Sequence, residues 1–291
     1  METQDLLKEV RKIEIKSRGL SNQIFAGEYH SAFKGSGMAF SEVREYQPGD
    51  EIRTIDWNVT ARFNHPFVKI FEEEREMTVM LIIDVSGSEN FGSQGKLKQQ
   101  VVLEMSAVLA FSAIKNNDKV GMILFSDKIE KFIVPKKGST HILTIIRELI
   151  DFKPESKGTD ISGALKYFTG VIKKRCTAFI ISDFMDNGFD DALKIANKKH
   201  DVVALRIYDR REMEMPGIGI IPIQDNESGQ VKWVDSSNKD LRKNYKMRAL
   251  KHEHDLKEIF AKSGVDAASI DAGRSFVRPL INLFKMREKR R

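Results

Sequence analysis

The chain has 291 residues, 41% of them apolar, and carries 48 Lys+Arg against 42 Asp+Glu, a net charge of +6. That excess is too mild and too mixed to point to nucleic acid, and Cys176, the one cysteine, excludes an internal disulfide and fits a reducing compartment. No apolar run reaches the ~20 residues that span a bilayer, and Met1–Leu20 lacks the apolar stretch of a signal peptide, so the expectation is a soluble, cytoplasmic protein of one large or two unequal domains.

Residues 2–16 place Leu6, Leu7, Val10, Ile13 and Ile15 among Lys, Arg and Glu, partly at helical spacing. This predicts an amphipathic opening helix, packed on the fold or in peripheral contact with a membrane surface. Residues 19–75 are punctuated by glycines and read as short extended pieces. Pro48-Gly49-Asp50 is a turn. Asp50, Arg53, Asp56 and Arg62 alternate in sign near Tyr46 and Trp57, which suits either interlocked Arg–carboxylate pairs or a partner-binding surface. The acidic run Glu72–Glu74 and Glu76 reads as a solvated face. Residues 1–75 are thus a small, β-rich N-terminal module with an opening helix, and 76–291 a second domain.

In that second domain strands and helices alternate. Thr78–Asp84 is an apolar run typical of a fully buried strand. Helices are predicted over 96–116, 140–151, 161–174, 189–199, 240–263 and 276–285. Strands are predicted over 119–125, 129–134, 176–182, 201–208 and 265–270, with a hairpin over 217–234 turning at Asn226–Gly229. The alternation predicts an α/β fold with a doubly wound, mostly parallel, Rossmann-like sheet. The basic tail from Arg287 reads as a frayed, solubilising end.

Three loops at the carboxyl edge of such a sheet share one chemistry. Asp84-Val-Ser86-Gly-Ser88 leaves the first strand, Gly158-Thr159 precedes a helix, and Asp183 ends the apolar run Ala178–Ser182. Ligands bind at that edge in open α/β sheets. Two carboxylates, Asp84 and Asp183, and three hydroxyls, on Ser86, Ser88 and Thr159, are an all-oxygen set suited to a hard cation such as Mg²⁺, with Mn²⁺ or Ca²⁺ as alternatives. The same residue types also serve as helix N-caps, and Thr159 reads naturally as one.

With these residues in view, Asp84-Val-Ser-Gly-Ser88 with Thr159 and Asp183 resembles the metal-ion-dependent adhesion site of von Willebrand factor A (vWA) domains. Upstream, Gly35-Ser-Gly37, Phe40, Arg44-Glu-Tyr46, Pro48-Gly-Asp50, Arg53, Ile55-Asp-Trp57, Thr60-Ala-Arg62 and Phe71-Glu-Glu-Glu-Arg75 resemble the signature of the bacterial domain-of-unknown-function 58 family. The resemblance implies a vWA-like domain after a small N-terminal module. It also implies partnership with a MoxR-type AAA+ ATPase, because family members are commonly encoded beside one. Carried over, Ser86 and Ser88 would ligate the ion directly, Thr159 directly or through water, and Asp84 and Asp183 mostly through water. A partner's Asp or Glu would complete the octahedron. Two positions depart from the pattern: Glu89 stands where Met is usual, and Phe184 where many A domains have Gly.

Enzyme signatures are weak by comparison. A hydrolase elbow needs Gly-x-Ser-x-Gly, which Ser86 lacks, and Gly95-Lys96 is followed by Leu97 rather than the Ser or Thr of a phosphate loop. His252 and His254 are spaced i, i+2, unlike a zinc pair on a helix, and read as a solvated face. Cys176 at the head of a buried strand reads as inert. The function expected is a non-enzymatic, Mg²⁺-dependent protein-interaction module; the alternative is a metal-dependent phosphohydrolase using the same oxygens.

Overall fold

Three central strands, β3 (Thr78–Asp84), β4 (Lys119–Phe125) and β6 (Thr177–Ser182), are almost entirely buried. Their runs of β-branched and aromatic residues suit a sheet covered on both faces. The structure, a computed structural model, describes residues 3–25, 38–73, 77–87, 98–156, 158–224 and 231–290. Ser88, Glu89, Gly35–Gly37, Glu74, Arg75, Glu76 and the expected turn at Asn226–Gly229 lie outside the described residues.

Chain contacts divide the protein into two units, Phe33–Met77 and Met1–Ala32 with Thr78–Arg291. The larger unit is the expected α/β fold, a six-stranded sheet in the order β10-β7-β6-β3-β4-β5. Here β5 is Ile129–Lys136, β7 is Asp201–Tyr208 and β10 is Asp266–Asp271. All pairings are parallel except β4 with β5 at one edge. A Cβ on Gly121 of β4 would stand 2.7 Å from Met80 Sδ and 2.8 Å from Pro135 Cγ, so glycine is needed for that close approach.

One face of the sheet packs on α3 (Lys98–Lys115) and α9 (Val277–Arg290); Phe179 of β6 meets Phe284 of α9 edge to face. The other face joins α5 (Ile161–Val171), α6 (Asp190–Lys199) and α8 (Lys239–Ser263) in one core containing Ile82, Ile180, Phe168, Leu193 and Phe260. The remaining helix of the unit's flank, α4 (Ser139–Asp151), lies against α3. A separate hairpin pairs β8 (Ile220–Gln224) with β9 (Val231–Asp235). After β3 the chain moves outward through β4 and β5 and returns to β6 on the other side of β3. The carboxyl ends of β3 and β6 therefore flank the topological switch point, where ligand crevices form.

The opening helix α1 (Thr3–Phe25), expected with the N-terminal module, belongs to this larger unit. Ser21 Oγ lies 2.8 Å from Ser112 Oγ, Lys16 pairs with Glu104, and Arg18 stacks 5.4 Å over the Phe111 ring, all on α3. The basic tail also departs from expectation. Helix α9 continues to Arg290, and Arg287 is only 4% exposed, paired with Asp201 at 2.6 Å and Asp266 at 2.7 Å. Arg287 reaches carboxylates at the starts of two strands, and that pairing, invisible in local sequence, replaces fraying with anchorage.

The smaller unit is a two-stranded antiparallel ribbon, β1 (Met38–Glu45) with β2 (Phe67–Glu73). Between them, where only extended pieces were expected, a 3₁₀ turn at Ile52–Thr54 leads into a short helix, α2 (Trp57–Phe63). Asp56 starts that helix by accepting from Asn58 N–H and Val59 N–H. Arg44 grips Asp50 with two bonds of 2.9 and 2.7 Å, and Asp56 lies 3.5 Å from Lys69. The Arg–carboxylate pairing thus runs from Arg44; among the described residues Arg53 and Arg62 make no ion pair.

Candidate metal centre

The sheet register sets a polar row at the carboxyl edge. Ser182 of β6 is opposite Arg206 of β7, and Arg206 opposite Ser269 of β10. On the other side Ser182 donates to Asp84 Oδ2 at 2.6 Å, tying β6 to the end of β3. Asp84 Oδ1 accepts the Ser86 N–H at 2.9 Å, which folds the Asp84–Ser86 loop back over the strand end. The Ser86 side chain bonds to Asp84 as well, so three of the roughly four acceptor positions of this carboxylate are used within the chain.

Asp183 follows directly on β6. Its Oδ1 accepts the Met185 N–H at 3.1 Å and its Oδ2 the ammonium of Lys98 at 2.9 Å. Lys98 is fully buried and also reaches Glu212 Oε1 at 2.8 Å. Glu212 is held in place by a capping box, its other oxygen accepting the Asp209 N–H at 3.0 Å. A lysine in the first turn of a helix faces the wrong end of the helix dipole, so the two carboxylates are what permit its burial.

Asp84 is 1% exposed and Asp183 3%. Burial, and then the neighbouring Asp183 charge, push the Asp84 carboxyl up to about 6. Ser86 is equally buried. Thr159 is half-buried, and it is not the helix cap expected: Asp160 fills that role, accepting the Gly163 N–H at 2.7 Å. The loops before α5 and after β6 do meet, because Asp186 Oδ2 accepts the Ile161 N–H at 2.9 Å. Asp84, Ser86 and Ser182 thus share one network, Asp183 follows that serine and pairs with Lys98, and Thr159 stands on the adjoining loop.

Three residues of this network escape a reading by motif: Lys98, Ser182 and Glu212. Lys98 did leave a signal. It lies three, four and seven residues before Val101, Val102 and Met105, on the buried stripe of α3.

Phe184 explains one departure from the vWA pattern. Its φ is +59°, the left-handed region where glycine is easiest. Its ring is buried against Phe260 at 5.1 Å and Phe189 at 5.9 Å, so packing holds a strained backbone. The two histidines of α8 part company, as their spacing requires, but only His254 is exposed, 3.3 Å from Glu258. His252 is half-buried, against the solvated face expected, and burial and then the Arg206 charge lower its affinity for a proton. Cys176 is buried with its thiol 3.4 Å from His200 Nδ1, and burial pushes it up to about 12, which fits an inert thiol.

Residues 42–255 match the family model described as "Protein of unknown function DUF58". Over 283 residues the chain is 26% identical to the uncharacterized protein Rv1480 of Mycobacterium tuberculosis, covering 96% of this chain and 89% of that one. It is 29% identical over 132 residues to the uncharacterized protein YeaD of Bacillus subtilis, covering 45% of this chain and 29% of that one. Among solved structures, the conserved hypothetical protein BatB from Bacteroides thetaiotaomicron superimposes with a TM-score of 0.50 at 17% identity, over 73% of this chain and 99% of that one. An aerotolerance-related membrane protein from Bacteroides fragilis gives 0.50 at 18%, over 72% and 99%. These two likenesses concern the fold alone.

Proposed function

The chain belongs to the DUF58 family, and from that premise we propose that it is a non-enzymatic, Mg²⁺-dependent protein-interaction module. The observation that supports the reading most is a pair of buried carboxylates at the switch point, with Asp84 lifted to about 6 first by burial and then by the Asp183 charge. The donor set suits a hard cation, because it consists of carboxylate and hydroxyl oxygens. Ser86, Ser88 and Thr159 would hold the ion, with Asp84 and Asp183 balancing its charge.

Bound there, Mg²⁺ would offer a Lewis-acidic position to an outside carboxylate. The chain's own residues do the rest. Ser182 and the Ser86 N–H fix the Asp84 carboxylate, and Lys98 fixes Asp183, so the acceptors are oriented in advance. The partner supplies an acidic side chain, and a MoxR-type AAA+ ATPase is the partner we propose.

Isothermal titration tests the reading. The parent is expected to bind Mg²⁺ and Asp84→Ala to lose binding; equal binding by the two would refute the assignment. A pull-down of the ATPase with Mg²⁺, repeated with chelator, is expected to capture it only in the first case.

A further inference from the structure

Arg206 lies next to the candidate metal centre in the polar row and has no part in it. It is 6% exposed on β7. Among the described residues its guanidinium makes no ion pair. Its buried Nε has no hydrogen-bond partner, and Nη2 has only a 4.0 Å contact with Met213 Sδ. The plane sits 5.4 Å from the Tyr208 ring. A guanidinium carries five donors in a planar fork and keeps its charge in proteins. Leaving it buried and unanswered is costly. The acids around it, Glu253, Glu212 and Asp183, act on it only at a distance, and burial outweighs them in lowering its affinity for its proton.

Arg206 lines a cavity of about 330 Å³ between the carboxyl ends of β7 and β10 and the helices α7 (Arg210–Met213) and α8. At ~30 Å³ per water that is room for about ten waters, far more than one bridging molecule needs, and at the lower end of small-molecule sites. Two more cations, Arg210 and Lys246, line it, and Met213 and Leu250 give it apolar wall. Its acids are already answered: Glu214 pairs with Lys246, and Glu253 with Lys257 at 2.6 Å. Positive charge is therefore in excess at the buried end.

We propose that this cavity binds a small organic anion, a molecule bearing a carboxylate or a phosphate, with its charged head on the Arg206 fork and its carbon body along Met213 and Leu250. Either head matches the planar donor pair of arginine. At the rim Arg210 draws the anion in, while Lys246 keeps Glu214 from opposing it, and Ser269, opposite Arg206 in the register, offers a hydroxyl to it. This site needs no metal and stands whether or not Asp84 binds one.

The test titrates the full chain by calorimetry with inorganic phosphate and, separately, with citrate, in chloride buffer with chelator present throughout. Saturable binding of one of them is expected, and the tighter of the two identifies the head group. Arg206→Met is expected to weaken it by at least about tenfold, and Arg210→Ala with Lys246→Ala by several-fold. If Arg206→Met does not fold, the rim double variant decides alone. Absence of binding to the parent by both anions up to about 10 mM overturns the proposal, as does binding by the variants as tight as the parent's.

Discussion

The two units solve the same problem with different chemistry. In the larger one, strands β3, β4, β6 and β7 bury nearly every side chain, and even its charged residues, Lys98, Asp84 and Asp183, are withdrawn from water. In the smaller one neither the 3₁₀ turn nor α2 buries a residue, and Trp57 stays 66% exposed. What defines it is directional: the Arg44–Asp50 fork, which holds Asp50 well below the usual carboxylate range, the Asp56 cap, and the Phe67 N–H bonded to Thr60 Oγ1 at 3.0 Å. The lesson is that a charge costs or contributes according to its depth. Removing half of a buried pair strands the other half, whereas an exposed pair is half-paid by water already.

The largest effect should come from Lys98. Lys98→Ala leaves Asp183 and Glu212 facing each other without their shared cation, and is expected to lower the unfolding free energy by about 3–5 kcal/mol in urea titration. A loss near zero would mean that this cluster behaves like the exposed pairs of the small unit.

Next, Phe184→Gly tests strain against packing. Glycine relieves the positive φ, of order 1 kcal/mol, but deletes a ring packed on Phe260 and Phe189, about 3–5 kcal/mol. A net loss of about 2–4 kcal/mol is expected; a gain would show that the strain outweighs the core.

Acid should act on the large unit through His200. Its ring is buried, 4.4 Å from the Phe168 ring, and burial and then Lys199 lower it from 6.5 to about 4. The unfolded chain therefore takes the proton first. Stability from this group is full above about 6.5 and falls away as the pH drops toward 4, by up to about 3 kcal/mol. His200→Leu should flatten denaturation midpoints compared between pH 7.5 and pH 5.

The smallest effects belong to the small unit. Asp56→Ala should speed amide exchange of residues 57–63 while leaving the melting of the larger unit in place. Arg44→Ala should matter little, and less still in high salt. A large, salt-insensitive loss would overturn the contrast between the units.

Much of the α/β unit was legible because its strands are continuous apolar runs whose ends are marked by polar residues. The run Thr78–Ile83 stopping at Asp84, and Ala178–Ile181 stopping before Asp183, announced both a parallel sheet and the edge where a site would lie. The helix Trp57–Phe63 is hard to see in sequence because its start signal, Asp56, stands in a segment whose glycines and turn residues dominate the local pattern. Thr159 and Asp160 are both N-cap residue types one position apart, and only the backbone at that turn makes Asp160 the cap.

By itself, the order of apolar runs determined the layers of this protein and the loops at which Asp84, Thr159 and Asp183 would fall, since periodicity and burial are properties of neighbours along the chain. Tertiary structure alone decided that Lys98 would sit between Asp183 and Glu212, that Arg287 would lock onto Asp201 and Asp266, that Phe184 would accept a left-handed backbone, and that Arg206 would be buried without an ion pair among the described residues. Each of those depends on residues far apart in sequence, because the energy of a charge or a ring is set by what folding brings, or fails to bring, beside it.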